Sequence, residues 1–346
     1  MKLPTSFDAP PHRPRQIPRR PLLKLCGTVV TAIVLGASWA TAAHAAYPEK
    51  PIRLVVPYPP GGATDVIGRI VAKHLGAALG GQVVVDNKAG ASGNIGADAV
   101  AKAPADGYTL LMGAMTAHSV AFTLEKGKLS YHWEKDFTPI TSVGSVPLVW
   151  VVNPSVKANT VKELVALAKS KPGHLTYASS GAGGPQRMAA ELFQRREGIE
   201  LMHVPYKGSG PAMTDLIGGQ VLMMIETVPA AQAFIKSGKL KALAVTTPQR
   251  VSMLPDVPSA AEAGLAGFDV SSKFGLLVPT NTPKAIIDRL NAEMAKILNN
   301  PEVKEQLLGQ GAYAQAMTSE QTRQLIKQEI DLWAKVIVDG KITSDQ

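Results

Sequence analysis

Apolar residues fall along this chain in two alternating rhythms. Residues 52–57, IRLVVP, form a short β-branched run of the kind a buried strand makes. Past PYPPGGATD the spacing changes, and Val66, Ile67, Ile70, Val71, Leu75 and Leu79 recur at helical intervals. QVVVDN (82–87) predicts a second strand. AGASGNIGADAVAKA predicts a second glycine-rich loop running into a helix, and YTLLMG (108–113) a third strand. Strand, glycine loop, helix, repeated in this way, is the order of a parallel sheet covered by helices.

VPLVWVV (146–152) begins a second set. Thr160 and Glu163 frame a capping box for VKELVALAKS, which stops at Pro172-Gly173. LTYAS (175–179) reads as a strand, SGAGGPQRMAAELF as a third glycine loop entering a helix, and IELMHVPY as a strand. KGSGPAMTDLIGG is another glycine loop and helix, with Pro211 suited to a first turn. QVLMMIE, PAAQAFIKSG and LKALAVTT continue as strand, helix, strand, with Met223-Met224 in the core. After FGLLVP (274–279), Thr282 and Pro283 open a helix. Thr318 and Gln321 cap a last one with Leu325, Ile326, Ile330, Trp333 and Ile337 turned inward.

Charge changes the picture at the front end. The net charge is +9, but residues 1–45 hold Lys2, Arg13, Arg15, Arg19, Arg20 and Lys24 against Asp8 alone, so +5 lies there and +4 in the rest. A basic lead, the apolar LCGTVVTAIVLGASWATAA and the A-x-A pattern Ala43-His44-Ala45 predict a signal peptide over 1–45, cleaved near Ala45/Ala46 into the periplasm. RRPLLKL (19–25) also resembles a twin-arginine signal, so Sec and twin-arginine export both stand. Cys26, the single cysteine, lies in this leader, and the mature chain has no thiol to pair or to bind metal. With 45% hydrophobic and 18% charged residues the rest is ordinary for a folded protein. No dense Lys/Arg stripe with aromatics points to nucleic acid.

Motifs for chemistry are missing. The glycine loops lack the G-K-[ST] of a phosphate loop and the G-x-G-x-x-G of a dinucleotide turn, and YASSGAGG is not a nucleophile elbow. Ser179 and Ser180 have no His or Asp signature beside them. The mature histidines His74, His118, His132, His174 and His203 show no metal-ligand spacing. The chain is therefore read as no enzyme, with no metal and no cofactor.

Each remaining feature has two readings. Gly61-Gly62, and Gly181 with Gly183 and Gly184, either permit tight turns or bare backbone N–H groups for an anion. His118 is a satisfied histidine or a ligand contact. Arg187, early in a helix and against its dipole, is solvated or waits for an anion. Glu226 caps a turn or faces a ligand. In open α/β sheets ligands bind outside the carboxyl ends of strands, next to helix starts with unpaired donors. Two such sets facing each other make a cleft for a small anion, and export points to a secreted solute-binding protein.

The segments YPEKPIRLVVPYPPGGATDVIGRIVAKHL, VVVDNKAGASGNIGADAVAKAPADGYTLLMG, YASSGAGGPQRMAAELF, VPYKGSGPAMTDLIGGQVLMMIE and TPQRVSMLPDVPSAAEAGLAGFDVSSKFGLLVP resemble the Bug family. These are the TctC-like periplasmic receptors of tripartite tricarboxylate transporters, and the likeness runs over the whole mature chain. It implies an α/β type II periplasmic-binding-protein architecture, two α/β lobes with a ligand cleft between them. One lobe would be discontinuous, 47–147 plus 270–346, and the other would span 148–269. It implies a carboxylate held by Tyr58, Gly61, Gly62, Ala63, Thr64 and Asp65 with Thr116, Ala117 and His118. Ser179, Ser180, Gly181, Gly183 and Gly184 would oppose them, and Tyr206 and Glu226 would line the cleft.

Four positions depart from the family's usual residues: Tyr58 stands where Phe is common, Pro59 for Ala, Arg187 for His and Glu226 for Asp. Arg187 is expected to bias the site toward dianions through bidentate pairing. The partners implied are a small carboxylate and the membrane permease subunits, with the receptor itself a monomer. A receptor for a sensor kinase, and a periplasmic enzyme on the same lobes, are the competing expectations.

Overall fold

The computed structural model describes residues 47–344 apart from Ala182 and Lys207, so the expected leader and its cleavage site lie outside the described residues. The described chain begins with β1 (Ile52–Val56), α1 (Ala63–Leu79), β2 (Val83–Asn87) and, after a 3-10 turn at Ala91–Gly93, α2 (Asn94–Ala101). They are followed by β3 (Thr109–Ala114), α3 (Met115–Leu124) and the long β4 (Phe137–Val152). Next come α4 (Val161–Ser170), β5 (Thr176–Ser179), α5 (Pro185–Glu197), β6 (Met202–Pro205), α6 (Ser209–Gly218), β7 (Met223–Thr227), α7 (Val228–Lys236) and β8 (Lys241–Val245). The chain closes with β9 (Ser271–Pro279), α8 (Lys284–Asn299), α9 (Pro301–Gly309), β10 (Tyr313–Ala314) and α10 (Ser319–Gly340). The capping box at Thr318 and Gln321 is complete, each side chain bonding the other's backbone N–H.

The strands lie in the order β2-β1-β3-β9-β4-β7-β5-β6, with β8 and β10 also on β4. Pairs within each βα set are parallel: β1 with β2 and β3, and β5 with β6 and β7. The centre departs from the all-parallel expectation. β9 runs antiparallel to both β3 and β4, and β4 runs antiparallel to β7 and β8. β4 and β9 are not joined by a helical crossover, so nothing forces them parallel.

β4 is far longer than the run 146–152 suggested. Pro139, Gly144 and Pro147 break the apolar pattern, yet the register against β9 slips between Pro139 and Thr141 and again between Ser142 and Gly144. Such bulges accommodate residues that a regular ladder rejects. Ile140, Val143 and Val146 pack with β1, β3, β9, α1 and α8 in one apolar cluster. Further on, Leu148, Trp150 and Val152 face a second cluster while Val149 and Val151 face a third, the alternation of a strand buried on both sides. Trp150 sits between Phe193 (5.4 Å) and Phe268 (4.8 Å). The end of α10, through Trp333, Val336 and Ile337, joins that second cluster. Residues late in the chain are therefore cemented to the middle of the chain.

Candidate functional site

Four helices begin at one cavity of about 410 Å³. Ala63 and Thr64 of α1, Thr116 and Ala117 of α3, Gly184 and Gln186 at the start of α5, and Thr227 before α7 all line it. None of the four helices has a side-chain cap. The first-turn N–H groups of a helix have no carbonyl four residues back to bond, so uncapped starts leave donors for something else. Each start also carries roughly half a positive charge. The sequence places small residues at these starts, so backbone rather than side chain is presented. The combined field favours an anion.

Lys273 of β9 brings an ammonium to the wall, its charge offset by a neighbouring carboxylate, and is the one cation among the described lining residues. Its ammonium bonds Glu329 Oε1 at 3.0 Å, which uses one of its three N–H groups. Glu329, 4% exposed, accepts further bonds at Oε2 from Thr116 Oγ1 (2.8 Å) and Trp333 Nε1 (3.1 Å). β9, α3 and α10 thus meet at one buried carboxylate. Glu125, just past α3, puts a carboxylate on the same wall.

Of the residues singled out from sequence, Tyr58, Ala63, Thr64, Thr116, Ala117, Ser180, Gly181, Gly183 and Gly184 line this cavity. The others stand elsewhere. Gly61 and Gly62 are exposed, and the Gly61 N–H is taken by Asp65 Oδ2 at 2.9 Å. Asp65 is buried and also accepts from Arg69 Nε (3.0 Å) and Asn87 Nδ2 (2.9 Å). Burial works to raise its pKa, but the bonds from Arg69, Gly61 and Asn87 outweigh it and bring the carboxyl down to about 2. Asp65 therefore ties the loop after β1 to the end of β2.

His118 is stacked on Trp133 (4.7 Å between ring centres) with Nδ1 against the Ala114 carbonyl at 2.9 Å. Burial lowers its pKa, so it stays neutral. Its neighbour Gly93 has φ +97°, and a Cβ there would come within 3.0 Å of the Tyr58 ring, so only glycine lets Tyr58 close over that turn. The Tyr58 hydroxyl donates to the Ser92 carbonyl at 3.1 Å, and burial pushes its pKa to about 12.

Arg187 is 2% exposed, with Nε 3.7 Å from Glu191 and the guanidinium beside the Tyr177 hydroxyl. It does not line the cavity, so the dianion bias expected of it has no support in this geometry. Ser179 is fully buried and its Oγ lies 2.7 Å from His203 Nε2. Burial, then repulsion from Arg187, lowers the His203 pKa to about 4. The Tyr206 hydroxyl donates to Asp215 at 2.7 Å. Glu226 is fully buried behind Gln186, whose Nε2 reaches its Oε1 at 3.1 Å.

Sequence reasoning missed Gln186, Thr227 and Lys273. The polar run Ser271-Ser272-Lys273 entering an apolar strand was the available signal for the last. Among the described residues no group of three or more His, Cys, Asp or Glu is placed to hold a metal ion, and no helix is long and apolar enough to cross a membrane.

Comparison with known proteins agrees with this architecture. The family model described as "Tripartite tricarboxylate transporter family receptor" matches residues 67–341. Protein BugT of Bordetella pertussis is 42% identical over 310 residues, covering 88% of this chain and 95% of BugT. A Rhodopseudomonas palustris protein solved with adipate has TM-score 0.74 at 34% identity, over 86% of this chain and 99% of that one. MatC of the same organism, solved with bound malate, has TM-score 0.71 at 32% identity, over 84% and 100%. The family is one of binding receptors rather than enzymes. The chain, with its mixed sheet and its ring of uncapped helix starts, belongs to the Bug (TctC) family of tripartite tricarboxylate transporter receptors, whose solved members share its periplasmic-binding-protein fold.

Proposed function

We propose that this protein, exported to the periplasm and freed of its 1–45 leader, captures a small carboxylate in the 410 Å³ cavity and delivers it to the permease subunits of a tripartite transporter. The observation that carries this reading is the convergence of four uncapped helix starts and the Lys273 ammonium on one space. Adipate and malate in the solved relatives fit the same chemistry.

The lobes of this reading are 47–147 plus 270–346 and 148–269. Ala63, Thr64 and Thr116 contribute from the first, and Ser180, Gly184 and Gln186 from the second. A ligand bonded to both favours a closed arrangement by its extra contacts there, and only that differential affinity drives closure. Ser180, Gly181, Gly183 and Gly184 form the second lobe's share of the carboxylate site, and Tyr58 closes one side.

The work is capture without turnover, by a monomer and without metal or cofactor. Ser179 does touch a histidine, but its side chain is fully buried and presents no nucleophile to the cavity. Thermal shift of the mature protein against a carboxylate panel tests the reading. A ligand at about 100 times its Kd adds roughly 2.7 kcal/mol. If no carboxylate stabilises the protein more than its methyl ester does, the reading is wrong.

A further inference from the structure

The helix starts and Lys273 bring donors to the cavity wall, and one acceptor stands out against them. Gln186 is 7% exposed and lines the cavity in the first turn of α5. Its Nε2 bonds Glu226 Oε1 at 3.1 Å and Ser209 Oγ at 3.4 Å, while its Oε1 is buried with no hydrogen-bond partner among the described residues. Glu226 Oε1 also accepts the Thr227 N–H at 2.6 Å, and Glu226 Oε2 is buried with no partner either.

The orientation of this amide is dictated. Glu226 Oε1 already accepts the Thr227 N–H, so it stands as an acceptor, and Gln186 turns its NH₂ toward it and its carbonyl the other way. That carbonyl lies over Gly184, where a Cβ would come within 3.0 Å of it and within 2.9 Å of Ser180 Oγ. Gly184 and Ser180 also line the cavity. A buried acceptor left without a donor is unfavourable, and a ligand that supplies the donor recovers that loss. Glu125 is a second acceptor on the wall, but it is partly exposed, and water satisfies an exposed carboxylate.

We propose that Gln186 is a selectivity residue that reads a hydrogen-bond donor on the bound carboxylate, with Glu226 as the positioning residue that fixes its amide. This rests on the receptor reading above and narrows it. The ligand is a carboxylate that also carries a hydroxyl or an ammonium group, and the unsubstituted acid of the same skeleton is disfavoured.

The test is isothermal titration of the mature protein with matched sets: succinate, malate and aspartate; propionate, lactate and alanine; phenylacetate, mandelate and phenylglycine. In at least one set the substituted acid binds about tenfold or more tightly than its parent. The hydroxyl and ammonium arms identify the donor. Glu226→Gln lets the Gln186 amide turn over, so the ratio narrows to about twofold, and Gln186→Leu abolishes it. Urea denaturation of both variants reports whether they remain folded. Parents and substituted acids binding alike, or a ratio that survives in both folded variants, overturns the inference and leaves the receptor reading standing. If no acid of any set binds, both fall.

Discussion

The Lys273 ammonium lies 3.0 Å from Glu329, and the two groups come from β9 and α10, more than fifty residues apart in sequence. The pair is nearly enclosed, with side chains 13% and 5% exposed. Lys273 lines the cavity, as does Thr116, which also bonds Glu329, so this one carboxylate joins the binding wall to the last helix.

Replacing Lys273 with Met leaves the Glu329 carboxylate buried with only Thr116 and Trp333 as donors. We expect a loss of about 1–3 kcal/mol in urea unfolding, because breaking one side of a buried pair strands the other. The double variant Lys273→Met, Glu329→Gln regains part of it. Equal stability of wild type and Lys273→Met rejects the assignment.

Asp65 makes a distinct prediction in acid. Its carboxyl is held at about 2 in the fold against 3.8 in the unfolded chain. The unfolded state therefore takes up the proton first, and the stabilisation is present above about pH 4 and lost as the pH falls toward 2. The loss is on the order of 2 kcal/mol. Asp65→Asn removes that pH dependence, measured as unfolding free energy from pH 5 to 2.

A second acid window lies higher. His203 is lowered to about 4 from 6.5 by burial and by Arg187, so the unfolded chain binds its proton more readily than the folded one. Stability falls as the pH drops from about 6.5 toward 4, and His203→Gln flattens that interval. An unchanged pH profile in the variant counts against the partly buried histidine beside Arg187 described here.

Gly184 tests the wall itself. Its φ of −73° suits any residue, so Gly184→Ala brings no backbone strain. The new methyl meets Ser180 Oγ and Gln186 Oε1 closely; the serine hydroxyl can rotate away, and the Gln186 carbonyl is pushed off its position at the wall. We expect unfolding free energy to change by less than about 1 kcal/mol, while carboxylate affinity drops about tenfold or more. A fold-destroying effect would place Gly184 in the core rather than at the site.

Much of this was legible in the sequence. Helices announced themselves where apolar spacing and a cap agreed, as at Thr318 with Gln321. The glycine loops between strand and helix pointed to Gly181, Gly183 and Gly184, while Ala63, Thr64 and Ser180 came from the family resemblance, and all six line the cavity. What stayed hidden was the direction of the polar side chains. Asp65 turns to Asn87, His118 to Trp133, and Glu226 to Gln186, and none of those partners is fixed by local pattern. Lys273 was hidden for the same reason, since its place at the wall depends on β9 inserting between β3 and β4.

That insertion has a consequence for biogenesis. Phe137 pairs with Pro279 and Pro147 with Ser271, and Leu111 of β3 pairs with Leu277 on the other side. Until residues 271–279 pair, the chain carries two unzipped strand borders, one on β3 and one on β4. Open borders of this kind invite aggregation and slow assembly, so closing the sheet waits on a strand more than a hundred residues downstream of β4.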